Sequence, residues 1–299
     1  MNRVLKGYLS LMRPANLPTA AADIFAGICI AGVFTELSFS NFSFPFALDI
    51  LLLVMASLFL YGGGVVLNDV FDIEIDRKER PERAIPSGLI PLNYAAIFGA
   101  VLLILGVSLA FSVGVLSGGI ASVLAFFIIS YDYYAKHKLV LGPINMGLCR
   151  GLNLVLGISV LGTIHNLEFA IIPIIYIAAI TLISKGEVHG NNKNHIILAG
   201  VLYALVIGLI ASFIVIKTSN IIQTLPFLAL LAFLIYKPLL RAYQDNSPLH
   251  IKKAVIGGVL SLIVLDAAIA VGFSHVIIGV LIILLLPLSI ILSRFFAVT

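Results

Sequence analysis

The residues best suited to chemistry lie between Gly62 and Gly88, in the stretch GGGVVLNDVFDIEIDRKERPERAIPSG. Six carboxylates and four basic side chains fall within the 15 residues from Asp69 to Arg83, in a chain that is 61% hydrophobic and 11% charged. Asn68, Asp72 and Asp76 are spaced i, i+4, i+8, which stacks them a turn apart on one helical face. Two carboxylates and an amide are oxygen donors, the ligands of a hard cation such as Mg²⁺. That ion binds through one or two carboxylates and completes its shell with water and substrate phosphates. A solvated loop would also account for a charge run. The polar face continues a long apolar segment at its membrane end, and this favours a site.

A second polar element, Ser184-Lys185-Gly186-Glu187-Val188-His189-Gly190-Asn191, closes another apolar segment. Glu187 and Asn191 are again i, i+4, and each follows Asp72 and Asp76 respectively by 115 residues. The equal offset hints at two four-helix units, each ending its second helix in a polar pair. Two such faces across a bundle could hold cations around one diphosphate. An ordinary Gly-flanked turn is the plain alternative. Between the two elements lies Tyr131-Asp-Tyr-Tyr-Ala-Lys136-His-Lys138, whose lysines serve equally as topology signals. Arg150 falls two to three turns into an apolar segment, where a cation is costly unless it faces a polar cavity or a partner. Cavity lining is the favoured reading, with a structural ion pair as the alternative. Asp23 raises the same question, and Asp266, far from every motif, reads as structural.

The elements that must carry these residues are membrane helices. A mean hydropathy of +1.15 and repeated apolar runs of about 20 residues describe a polytopic all-α membrane protein. Ten apolar segments lie near residues 16–35, 46–70, 92–114, 117–135, 141–163, 168–186, 195–216, 221–240, 252–271 and 275–293. With the N-terminus inside, the inner ends and loops hold 16 of the 18 basic residues, leaving Lys217 outside and Arg150 within a span. That asymmetry predicts an even number of crossings, with both termini and the motif loops cytoplasmic. The longest polar stretch is Asp69–Pro91, so residues 1–299 form a single transmembrane domain with no soluble one. Basic residues scattered over loops carry no nucleic-acid signal. Cys29 and Cys149 sit in apolar segments with neither metal nor disulfide spacing. The first apolar run leads into a full span, so a cleavable signal peptide is not expected.

In combination, these motifs resemble the UbiA superfamily of intramembrane prenyltransferases. Asn68-Asp69-x-x-Asp72-x-x-x-Asp76-Arg77 is similar to its first aspartate-rich motif. Arg13-Pro14-Ala15-Asn16-Leu17-Pro18 resembles its opening of the first helix, Arg83-Ala-Ile-Pro86-Ser87-Gly88 its RPIPSG loop, and Tyr134-x-x-x-Lys138 its YxxxK element. The second motif departs: where the family usually carries DxxxD, this chain reads Glu187-Val-His-Gly-Asn191, with one carboxylate gone. GEVHG and the terminal Phe296-Ala297-Val298-Thr299 also look similar to an EboC-like branch.

The resemblance implies a ring of about nine helices around a central cavity open to lipid, against ten spans counted above. It implies Mg²⁺-dependent transfer of a prenyl group from a polyprenyl diphosphate to an aromatic or other lipophilic acceptor. Asn68, Asp72 and Asp76 would hold the metal, with Glu187 and Asn191 opposite, and Lys138 would join the catalytic set. Arg77, Arg83, Lys136, Lys138 and Lys185 would bind the diphosphate, and Arg13, Asn16 and Arg150 the acceptor. The location implied is the plasma membrane, a bacterial inner membrane. Two other readings remain: a catalytically reduced homologue that binds or moves an isoprenoid or other lipid, and a secondary transporter. Against the transporter, the densest polar residues lie at the membrane's edge rather than its midplane.

Overall fold

The computed structural model describes residues 3–34, 44–138, 140–187 and 190–296. Val188 and His189 of the GEVHG element, and Ala297-Val298-Thr299 at the C-terminus, lie outside the described residues. The described residues form helices: α1 (Arg3–Leu11), α2 (Leu17–Ile30), α3 (Phe44–Phe71), α4 (Ile73–Glu79), α5 (Leu92–Val113), α6 (Val115–Tyr133), α7 (Leu141–Ile158), α8 (Ile171–Ser184), α9 (Lys193–Lys217), α10 (Ile221–Gln244), α11 (Pro248–Phe273), α12 (Val276–Ile283) and α13 (Leu285–Ser293). Helices are what apolar runs of this length must form, because lipid offers the backbone no hydrogen-bond partner. Pro91 caps the start of α5 and Pro248 opens α11, where a missing N–H costs nothing.

Each of the ten apolar segments of the sequence holds a helix among the described residues. Among the described residues, nine are long and apolar enough to cross a membrane. The exception is the first: α2 has 14 residues, roughly 21 Å at the helical rise, short of a hydrocarbon core of about 30 Å. It is nevertheless the most enclosed of the early helices, with 12 of its residues buried. The last segment is split at Leu284 into α12 and α13. Gly279 of α12 lies against Val271 and Phe227, and further along the Ser289 hydroxyl donates to the Ala15 carbonyl. The segment therefore runs back along α11 and ends beside the start of α2.

Neighbouring helices close a ring in the order α2, α3, α5, α6, α7, α8, α9, α10, α11 and back to α2. In addition α2 presses across onto α7. Glycine makes that crossing possible. A Cβ on Gly157 would stand 2.5 Å from the Ile24 carbonyl oxygen, and one on Gly27 would strike the Leu154 carbonyl. Small residues let membrane helices approach backbone to backbone in this way. The approach joins a polar seam deep in the bundle. Arg150 Nε lies 2.9 Å from Asp23 Oδ2, Arg150 Nη2 donates to the Thr19 carbonyl at 2.6 Å, and Asn153 Nδ2 donates to Asp23 Oδ2 at 2.8 Å.

Candidate functional site

A cavity of about 560 Å³ opens inside the ring, at the end of the bundle where α3 gives way to α4. Its apolar wall includes Leu60, Val65, Leu124, Ile128, Ile177, Ile180, Val259 and Leu262. Its polar wall includes the end of α3 and the α4 that follows. Asp72 interrupts the helix with φ −88° and ψ 8°, yet its N–H still donates to the Asn68 carbonyl and its carbonyl accepts from Asp76 N–H. The helical repeat thus carries through the break. Asn68, Asp72 and Asp76 all line the cavity, and Asp69 does not.

Asp72 and Asp76 each have a cation. Lys136 Nζ lies 2.6 Å from Asp72 Oδ1, and Arg83 Nη1 lies 2.8 Å from Asp76 Oδ2. Behind the wall, the buried Asp69 takes Arg13 at 3.0 Å and Arg83 at 3.2 Å on one oxygen. Asp69 so fixes two guanidinium groups that both line the cavity. Arg13 sits at the break between α1 and α2 with φ 47° and ψ 68°, a left-handed backbone unusual for a residue with a Cβ. Its ion pair to Asp69 helps to hold that turn.

The sequence-derived residues divide between cavity and surface. Asn68, Asp72, Asp76, Arg83, Arg13, Asn16, Arg150 and Glu187 line the cavity, and Lys136 reaches it through Asp72. Arg77, Lys138, Lys185 and Asn191 do not line it. Arg77 follows Asp76 by one residue, turns to the outer face of α4 and pairs with Glu74. Lys138 is exposed, with its ammonium 5.2 Å from the Tyr134 ring. The tyrosine and lysine of this region nearest the cavity are therefore Tyr131 and Lys136 rather than Tyr134 and Lys138.

The expected i, i+4 face of Glu187 and Asn191 does not form. α8 ends at Ser184, and Gly190 and Asn191 take left-handed backbones with φ 67° and 56°, which takes Asn191 off the helical repeat. Asn191 is exposed, and its neighbour Asn192 is the buried one, exchanging hydrogen bonds with Asn246. Burial pushes the Glu187 carboxyl up from its ordinary range, against the opposing pull of Lys252 and Arg80. Arg150 turns out to serve both readings offered for it, lining the cavity while paired with Asp23.

Other cavity residues were given no role from sequence. Arg80, at the end of α4, and Tyr131 line the cavity, as does Asp132, whose Oδ1 accepts a hydrogen bond from Asn68 Nδ2 at 2.9 Å. The oxygen set of Asn68, Asp72, Asp76 and Asp132 fits Mg²⁺ chemically. Among the described residues, no three His, Cys, Asp or Glu are grouped to hold an ion unaided. An ion completed by water and substrate phosphate fits such an open set better than a closed protein cage would.

A family model, that of the UbiA prenyltransferase family, matches residues 26–254. The digeranylgeranylglyceryl phosphate synthase of Sulfolobus acidocaldarius is 33% identical over 197 residues, covering 64% of this chain and 66% of the relative. That of Methanococcoides burtonii is 38% identical over 159 residues, covering 53% and 56%. The chain therefore spans between half and two thirds of the length of these curated relatives. Among solved structures, a UbiA homologue from Archaeoglobus fulgidus bound to GPP and Mg²⁺ aligns with a TM-score of 0.66 at 16% identity, over 88% of this chain and 99% of that one. The apo UbiA homologue from Aeropyrum pernix K1 gives 0.68 at 14%, over 86% and 98%. These structural likenesses bear on the fold alone.

Proposed function

This chain belongs to the UbiA prenyltransferase family and is an integral membrane protein, and from that premise we propose that it transfers a prenyl group from a polyprenyl diphosphate to a lipophilic acceptor, with Mg²⁺. The observation that carries the reading is the pairing of Asp72 with Lys136 and of Asp76 with Arg83 on the wall of a cavity that is otherwise apolar. Such a wall suits a ligand that brings both an anion and a cation. Asp72 and Asp76, with Asn68, would hold the metal, and Lys136 and Arg83 would bind the phosphate oxygens.

Mg²⁺, when bound, offsets the charge that builds on the diphosphate as it leaves. The chain's own residues do the rest. Arg13 and Arg83, fixed by Asp69, face the departing oxygens. The prenyl C–O bond breaks with its electron pair on the diphosphate. The apolar wall keeps water from the allylic cation, the acceptor oxygen forms the new bond, and its proton passes to the displaced diphosphate. Glu187 supplies the acidic group of the opposite wall. The roles implied for Arg77, Lys138, Lys185 and Asn191 find no support in their positions.

The relatives are named for a glyceryl phosphate product, so the acceptor we propose is a hydroxyl of a glycerol-phosphate lipid in place of an aromatic one. Arg150 and Asn16 lie on the cavity wall within reach of such an acceptor. The site would open on the cytoplasmic side of the cell's plasma membrane. The test is purified protein in vesicles with labelled geranylgeranyl diphosphate, with and without Mg²⁺, and with glycerol-phosphate and aromatic acceptors. Prenylated lipid should form only with Mg²⁺, and Asp72→Ala should lower the rate about 10²-fold or more. Tight donor binding without product from any acceptor would instead support the lipid-binding homologue.

A further inference from the structure

We propose that Asp132, which lies outside both aspartate motifs, is a further oxygen ligand of the divalent cation. The inference deepens the proposed function and rests on it. Asp132 is the penultimate residue of α6, lines the cavity beside α3, and is only 3% exposed. Its two oxygens differ. Oδ1 accepts from the Asn68 amide at 2.9 Å. Because that bond occupies the amide nitrogen, Asn68 keeps its carbonyl oxygen free for the cavity it lines, one turn before Asp72.

Oδ2 is buried and has no hydrogen-bond partner. Buried carboxylate oxygens are normally satisfied, so an orphan of this kind on a cavity wall is open to a partner from the cavity. The nearest cation in sequence, Lys136, is one turn further on and is taken by Asp72 at 2.6 Å. No ion pair joins Asp132 to any basic residue among those described.

The opposite wall shows why the chain would use this group. There the family's second acidic position is Asn191, which the break after α8 carries out of the cavity, leaving Glu187 as that element's carboxylate. Asp132 returns one carboxylate to the site from a different helix. The result is a set of hard oxygens from Asp132, Asn68 and Asp72, open enough to leave positions for water and a phosphate.

The experiment measures Mn²⁺ binding by paramagnetic resonance, on the full chain in vesicles with pyrophosphate present. Asp132→Asn keeps an oxygen to accept from Asn68 and removes the charge, so it should weaken Mn²⁺ about 10- to 100-fold. Glu82→Gln, an exposed loop change, should leave binding as in wild type. Affinity unchanged in Asp132→Asn would overturn the assignment. Asp132→Cys supplies an independent readout, because a thiolate ligand selects softer ions. It should lose Mn²⁺ and bind Cd²⁺ more tightly than wild type does; unaltered preference between the two ions would also overturn it. A wild-type protein that forms no prenylated product would sink the proposed function, whatever these titrations give. Turnover in wild type with undiminished Mn²⁺ binding in the variants sinks only the role of Asp132.

Discussion

Asp69 and Asp72 stand three residues apart, and of the two only Asp72 lines the cavity. Asp72 meets the cavity; Asp69 lies behind it, sharing one oxygen between Arg13 and Arg83. Asp69→Ala leaves two guanidinium groups without their common anchor, which should cost on the order of 2 kcal/mol of stability and weaken donor binding. Asp72→Ala frees one ammonium rather than two guanidinium groups, so it should cost less stability while lowering transfer about 10²-fold or more. Thermal melts and donor titrations on the two variants check the split; equal loss of stability would refute it. The helical spacing of Asn68, Asp72 and Asp76 was legible because all three lie on one segment. Asp132 was not, because its link to Asn68 joins two helices, and spacing within a segment carries no such information. The misplacement of Asn191 had a visible cause in Gly186 and Gly190, residues that end helices more often than they extend them.

At the scale of the helix, length was legible and rotation was not. Most of the spans are apolar on every side, since lipid and protein neighbours both demand apolar surface, so no polar stripe tells which face turns inward. Glycine was the surviving signal, and it is sharpest where α2 crosses α7. Gly157→Ala places a methyl 2.5 Å from the Ile24 carbonyl oxygen and 2.9 Å from its Cα, neither of which can move without shifting a helix. The variant should lose about 1–3 kcal/mol in denaturant melts and reduce transfer, because the seam holding Arg150 moves with α2. Gly119→Ala, with nothing within 4 Å of the new methyl, is the matching control and should be neutral. Similar losses at both positions would mean that the crossing is not a tight one.

For the whole molecule, the charge asymmetry and the return of α13 toward Ala15 point to the same topology. Starting from a chain whose Cys29 and Cys149 are replaced by Ala, single cysteines at Ser87, Phe295 and His165 can be probed with an impermeant thiol reagent on intact cells. Ser87→Cys and Phe295→Cys should stay unlabelled, and His165→Cys, at the other end of the bundle, should label. Labelling at Phe295→Cys alone would mean that the last segment does not cross. The count of ten apolar segments was legible; the shortness of α2 was not, because the apolar run near residues 16–35 extends beyond the helical turns of Leu17–Ile30.

The pairing of Asp23 with Arg150 has a consequence in time. Arg150 is made 127 residues after Asp23, so at about 5–20 residues per second the carboxylate waits roughly 6 to 25 s for its partner. An aspartate at the centre of a span carries an insertion penalty of about 2.5–3.5 kcal/mol, and α2 is too short to offset it with a long apolar run. α2 is therefore poorly able to enter lipid alone. Its secure place in the bilayer comes only with the arrival of the fifth apolar segment, which makes membrane insertion of the amino-terminal half a debt settled by the second.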